Sequence, residues 1–165
     1  MKLFIGIKID AKAQKKINSY FNLFYESKVT GNYSKINNLH MTLAFLGETE
    51  ENKVPLIKLI IKGIKLDINS IKISKLKMLK DILIGEVENN KSIQDIYDSL
   101  RKKLIKNNIY FDNHDLYPHV TFIRKVNNCD KFIGKEVDII SNFDHITLFE
   151  SRRINNDLVY IDLGD

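Results

Sequence analysis

Along the chain, apolar positions recur in two alternating rhythms. Leu3, Ile5, Ile7 and Ile9 alternate with Phe4, Gly6 and Lys8, the period-two pattern of a strand largely apolar on one face and mixed on the other, which predicts a central or near-central strand. Asp10 then stands as a helix N-cap, and Ala13, Ile17, Tyr20, Phe21 and Phe24 fall on one helical face, predicting a helix that runs to about Lys28. Residues 29–38 are polar with a glycine at 31 and read as a loop leading into a strand over Leu39–Leu46, which Gly47 ends. Val54, Ile57, Ile60, Ile61 and Ile64 predict a second helix, and Pro55, tolerated only in a first turn, sets its start near Lys53 or Val54.

The second half repeats this rhythm. Ser70–Lys80 alternates apolar residues with Lys72, Lys75, Lys77 and Lys80, a half-buried strand with a solvated face. A strand over Ile82–Val87 follows. Ser92, with Asp95 three residues on, predicts the start of a helix that buries Ile93, Ile96, Tyr97, Leu100 and Leu104. Phe111–Tyr117 reads as a loop before a strand at Pro118–Phe122, then a short apolar helix around Cys129, Phe132 and Ile133. Strands at Glu136–Ile140, Ile146–Ser151 and Leu158–Leu163 complete the chain. Strands and helices without regular βα alternation predict an α+β fold with antiparallel sheets, and no Pro/Gly/Ser-rich linker divides the halves. We therefore expect one domain, 1–165, of two related lobes at about 1–80 and 81–165, with terminal strands open to exchange between them.

Composition narrows the class without deciding it. The 165 residues are 44% hydrophobic and 28% charged, as in globular proteins, and the formal charge of +5 favours a polyanionic partner without requiring one. The lone Cys129 excludes an intramolecular disulfide and a thiolate-based metal site. Met1–Asp10 is too short and too soon interrupted by charge for a signal peptide or membrane span, so the expectation is a cytoplasmic protein without membrane contact.

The chemistry concentrates in two strands. His40-Met41-Thr42 and His119-Val120-Thr121 lie 79 residues apart, at matching places in the two halves. Residues two apart on a strand share a face, so each motif offers an imidazole and a hydroxyl side by side. Two histidines on one cleft can divide acid and base roles near neutral pH, and two threonine hydroxyls can donate to a phosphate. The bland alternative is a pair of core histidines beside threonines chosen for β propensity. A zinc site is disfavoured, because His114 and His119 lack a recognised ligand spacing. His114 and His145 read as ordinary surface residues, and Tyr33, Tyr110 and Tyr117 as packing residues before base-stacking ones.

Leu39–Glu48 and Tyr117–Lys125 resemble the paired motifs of the RNA 2′,3′-cyclic phosphodiesterases, also called 2′-5′ RNA ligases, of the 2H phosphoesterase superfamily. Met1–Ile5, Ile84–Val87, Leu148–Ser151 and Tyr160 are similar to other strands of that family. The resemblance implies a bilobal, pseudo-twofold α+β fold, with two antiparallel sheets flanking a central cleft and helices on the outer faces. It also implies metal-independent hydrolysis of RNA 2′,3′-cyclic phosphate ends to 2′-phosphomonoesters, with possible reverse 2′-5′ ligation, no cofactor and a monomeric protein. His40 is then the proton donor and His119 the acceptor, although the sequence does not fix which is which. Thr42, Thr121 and Arg124 hold the phosphate. The chain departs from the family where Tyr33 and the following residues replace a tryptophan and proline, and where Phe122 replaces a common leucine. Strict alternation sets Arg124 opposite His119 and Thr121, so its role requires a twist or bulge; a regular strand makes Lys125 the contact instead. Two other readings stay open: a non-catalytic RNA-end-binding module, and an enzyme acting on another cyclic nucleotide or a 2′-5′ oligonucleotide.

Overall fold

The computed structural model describes residues 1–164. Among these described residues, nine strands and three α-helices follow one another as β1 (Lys2–Lys8), α1 (Ala11–Glu26), β2 (Thr30–Tyr33), β3 (His40–Glu48), α2 (Val54–Lys62), β4 (Ser70–Leu79), β5 (Ile82–Val87), α3 (Lys91–Lys106), β6 (His119–Asn127), β7 (Glu136–Asn142), β8 (Thr147–Ile154) and β9 (Asp157–Asp162). Three short 3₁₀ turns, Ile36–Asn38, Glu51–Lys53 and Asp130–Phe132, link some of them.

Local chemistry accounts for the helix boundaries. The Asp10 carboxylate accepts from the Ala13 amide at 2.8 Å and so satisfies an orphan donor of α1. Pro55 sits in the first turn of α2, where no hydrogen bond is lost. For α3 the cap is Asn90, whose side chain accepts from Ile93 at 2.9 Å, and not Ser92 as the sequence pattern suggested. Ser92 lies inside the helix because an Asn two residues earlier is an equally good cap.

The fold is α+β, built on a curled antiparallel sheet. One set of strands runs β7-β4-β5-β6 and the other β3-β1-β8-β9, with β2 added beside β6. Between the sets, the Met41–Val120 pair is the bridge that joins β3 to β6. Strands from the end of the chain, β8 and β9, thus extend the sheet begun by β1, while β4 pairs with β5 and β7. β2 occupies residues read from the sequence as loop: Thr30 pairs with Asn127 and Tyr33 with Ile123. Its four residues are too few and too polar to show a period.

The helices cover the sheet on the face away from the cleft. Phe21 of α1 meets Phe122 edge-on at 5.6 Å, and Phe24 meets Phe132 at 4.9 Å. α2 and α3 lie against each other and against β8 and β3. Leu3, Ile5, Ile7, Met41, Leu43, Val120 and Phe122 point into this apolar layer and are buried. Close strand approach explains one glycine: a Cβ on Gly6 would lie 2.7 Å from the Met41 carbonyl oxygen. The lysines of β4 are not a free basic stripe, since Lys72 lies near Glu88 and Asp138, and Lys77 near Glu86. No helix among the described residues is long and apolar enough to cross a membrane, which says nothing of a β-barrel.

Candidate active site

Met41 and Val120 are fully buried on the helix-covered face. Because strand side chains alternate, His40, Thr42, His119 and Thr121 must then project from the opposite, concave face. Continuing the antiparallel register one residue either way from the Met41–Val120 bridge sets His40 across from Thr121 and Thr42 across from His119. Each imidazole therefore neighbours its own threonine along the strand and the other motif's threonine across it. Only this one pair bonds β3 to β6 among the described residues, so the strands part on both sides and leave a cleft.

Backbone carbonyls orient the two rings alike. His40 Nδ1 donates to the Asn38 carbonyl at 2.7 Å, and His119 Nδ1 donates to the Tyr117 carbonyl at 2.6 Å. A carbonyl only accepts, so Nδ1 carries the proton in both, and Nε2 is the atom turned toward the cleft. In neutral His40 that Nε2 accepts from the Thr42 hydroxyl at 3.1 Å. Phe4 at 4.7 Å and Tyr160, edge-on at 5.1 Å, wall the His40 ring. Burial disfavours its charged form and lowers its pKa to about 4; the Asn38 hydrogen bond opposes this, while the nearby positive charge of Arg124 and His119 adds to it.

His119 sits in a more polar frame. Glu86 lies opposite it on β5, and its carboxylate accepts from the Tyr117 hydroxyl at 2.9 Å and lies 3.3 Å from Lys77. Burial and that bond to Glu86 push the Tyr117 hydroxyl up to about 12, so Tyr117 remains a hydrogen-bond donor.

The register of β6 slips between its pairs with Ile84 and Leu83, where one extra residue enters the strand. Phe122 and Ile123 both turn into the core as a result, and Arg124 returns to the face of Thr121. Arg124, Thr121 and His40 line one cavity of about 450 Å³. Lys125 is not among its lining residues and has φ +50°, where the strand turns away. The opposite wall is the β8–β9 hairpin, with Arg153, Asn156, Asp157, Leu158 and Tyr160. Lys35 reaches Asp157 at 3.0 Å, and the Asn38 side chain donates to the Leu158 carbonyl at 2.9 Å, tying the hairpin to the loop before β3.

The sequence pattern missed this hairpin wall, although Asn155-Asn156 between two strands is a turn signal. Both take positive φ, 51° and 67°, as a tight hairpin requires. Of the three tyrosines, Tyr33 lines the cavity but is stacked on Tyr25 at 4.3 Å, with its hydroxyl donating to the Val29 carbonyl. Tyr110 is exposed and bonds Asp112. His114 accepts from Tyr97 through its carbonyl, and His145 pairs with Asp144, both away from the histidine pair. Among the described residues no three His, Cys, Asp or Glu side chains converge as metal ligands.

Solved structures share this arrangement of strands. LigT of E. coli in its apo form superposes with a TM-score of 0.82 at 19% identity, covering 99% of this chain and 94% of that one. The chain has the LigT-like fold. TT0787 of Thermus thermophilus matches at TM-score 0.80 and 16% identity, over 99% of this chain and 96% of that one. The PDE domain of MHV ns2 matches at 0.68 and 15%, over 97% and 98%. No family model matches the sequence, and neither does any curated protein. At these identities the likeness speaks for the fold, and the chemistry of the cleft rests on its own residues.

Proposed function

We propose that this protein is a metal-independent phosphodiesterase that opens RNA 2′,3′-cyclic phosphate ends to 2′-phosphomonoesters. The observation that carries the reading is the Met41–Val120 bridge, which turns two His-Thr pairs onto one concave face. The likeness to LigT, which has been crystallised with 3′-AMP, and to a PDE domain supports phosphoester chemistry in a cleft of this shape.

In this mechanism Thr42, Thr121 and Arg124 hold the cyclic phosphate. Nε2 of His119 takes a proton from water as its oxygen bonds phosphorus. The bond from phosphorus to the 3′ oxygen breaks, and Nε2–H of His40 gives that oxygen its proton. The 2′ ester bond survives. If a 5′ hydroxyl attacks phosphorus in place of water, the same steps break the bond to the 3′ oxygen and leave a 2′-5′ phosphodiester, which is the 2′-5′ ligation the fold family's name implies.

His40 is neutral in the free protein, so its donor role requires that it gain a proton when substrate binds. An anionic phosphate seated between His40 and Arg124 does this, because it cancels the guanidinium's repulsion and adds an opposite charge within reach of the ring. The reading is tested by incubating the protein with an oligonucleotide ending in a 2′,3′-cyclic phosphate, in EDTA, and following phosphomonoester formation. Turnover that EDTA abolishes and zinc restores contradicts the metal-independent mechanism.

A further inference from the structure

The cavity extends well beyond His40, Thr121 and Arg124, while Thr42 and His119 are not among its lining residues. On β8 and β9, Ser151 pairs with Tyr160 and Arg153 with Leu158, so Arg153 and Tyr160 stand on the same face, two residue steps apart along the hairpin. Tyr160 packs against His40, and Arg153 stands two strand steps, about 7 Å, toward the hairpin tip from Ser151, the partner of Tyr160, which is the scale of one nucleotide. Among the described residues Arg153 bonds only the Asn156 carbonyl, at 3.2 Å, through a single nitrogen of its five-donor fork. Beside it Lys35 is engaged by Asp157. The cleft thus carries one cation, Arg124, next to the histidine pair and a second, Arg153, at its far wall with most of its donors unspent. The opposite side of the same hairpin is arranged differently, since Arg152 is held by two bonds to the buried Glu150 and faces away from the cleft.

Building on the proposed cyclic-phosphate reading, we propose that Arg153, with Lys35, forms a second phosphate subsite for the phosphate on the 5′ side of the terminal nucleotide. The substrate class is then an oligonucleotide end rather than a free cyclic mononucleotide. Guanidinium forks suit phosphate oxygens through paired N–H donors. Asp157 restrains Lys35 and keeps the subsite from becoming a general polyanion trap.

Adenosine 2′-monophosphate and adenosine 2′,5′-bisphosphate separate this idea from the catalytic reading, because they differ only in the 5′ phosphate and neither needs turnover. The expected result by calorimetry is that the bisphosphate binds at least about tenfold more tightly. In Arg153→Ala that ratio falls several-fold, and the salt dependence of cyclic-phosphate trinucleotide binding loses about 0.7 in slope, the value of one single-strand phosphate contact. Asp157→Asn, which frees Lys35, raises the ratio. Equal affinity of the two nucleotides for the wild-type protein, or a ratio unchanged in Arg153→Ala, overturns the subsite. If the protein hydrolyses no cyclic phosphate, the catalytic reading fails, while the two binding constants still decide the subsite.

Discussion

Met41 and Val120 face each other across β3 and β6, buried on the helix side of the sheet, and this pair fixes where His40, Thr42, His119 and Thr121 point. A slip of one residue in either strand would turn its histidine and threonine into the apolar layer. The close approach of Gly6 to the Met41 carbonyl holds β3 in that register from its other side.

Gly6→Ala therefore tests whether the strand position matters to the chemistry. The added methyl group meets backbone, which cannot swing aside as a side chain can, so we expect a loss of about 1–3 kcal/mol of stability. Turnover should fall in protein that remains folded, because Thr42 lies opposite Gly6 and is displaced with its strand. Denaturant titration beside an activity assay reads both, and an unchanged activity argues that the threonine does not touch the phosphate.

Acid should destabilise the protein through His40. Its pKa is about 4 in the folded chain and about 6.5 in an unfolded one, so on acidification the unfolded state binds the proton first. Stability is full above pH 6.5 and falls between pH 6.5 and 4 by at most on the order of 3 kcal/mol from this group. Arg124 and His119 keep positive charge near the ring and work in the same direction. His40→Gln should flatten the dependence in that window; a slope identical to wild type assigns it to other groups.

Phosphate binding should reverse that shift. Titrating His40 by NMR with and without adenosine 2′-monophosphate should show its pKa raised by about 1–3 units in the complex, as an opposite charge at close range requires. A pKa that stays near 4 with ligand bound gives His40 the base role instead and leaves the acid role to His119.

Arg124 and Lys125 separate cleanly by the bulge in β6. Arg124→Ala should cost on the order of 3 kcal/mol in kcat/KM, the scale of one lost transition-state contact to a developing charge. Lys125→Ala should stay near wild type. The reverse ranking contradicts the side-chain directions derived from the β6 register.

Much of this architecture was legible in the sequence. The alternation of β3 and β4 and the helical stripes of α1, α2 and α3 are strong because each buries one face against the other layer, whereas β1, between β3 and β8, is buried on both faces. The His-x-Thr spacing set each histidine beside its threonine on one strand face by the same period of two. What stayed hidden came from pairing between distant segments. β2 is a strand only because β6 offers it an edge, and Arg153 enters the wall only once the β8–β9 hairpin is laid against Lys35 and Asn38. The neutral state of His40 is likewise a product of assembly, set by Phe4 and Tyr160 from strands far apart in sequence.

The most direct test follows the product of a cyclic-phosphate-ended oligonucleotide by ³¹P NMR, in EDTA, with wild type, His40→Ala and His119→Ala. The account predicts a 2′-phosphomonoester from the wild-type protein and a loss of roughly 10²- to 10⁴-fold in each folded variant. A 3′-phosphomonoester product, or near-normal turnover in either variant, would contradict it.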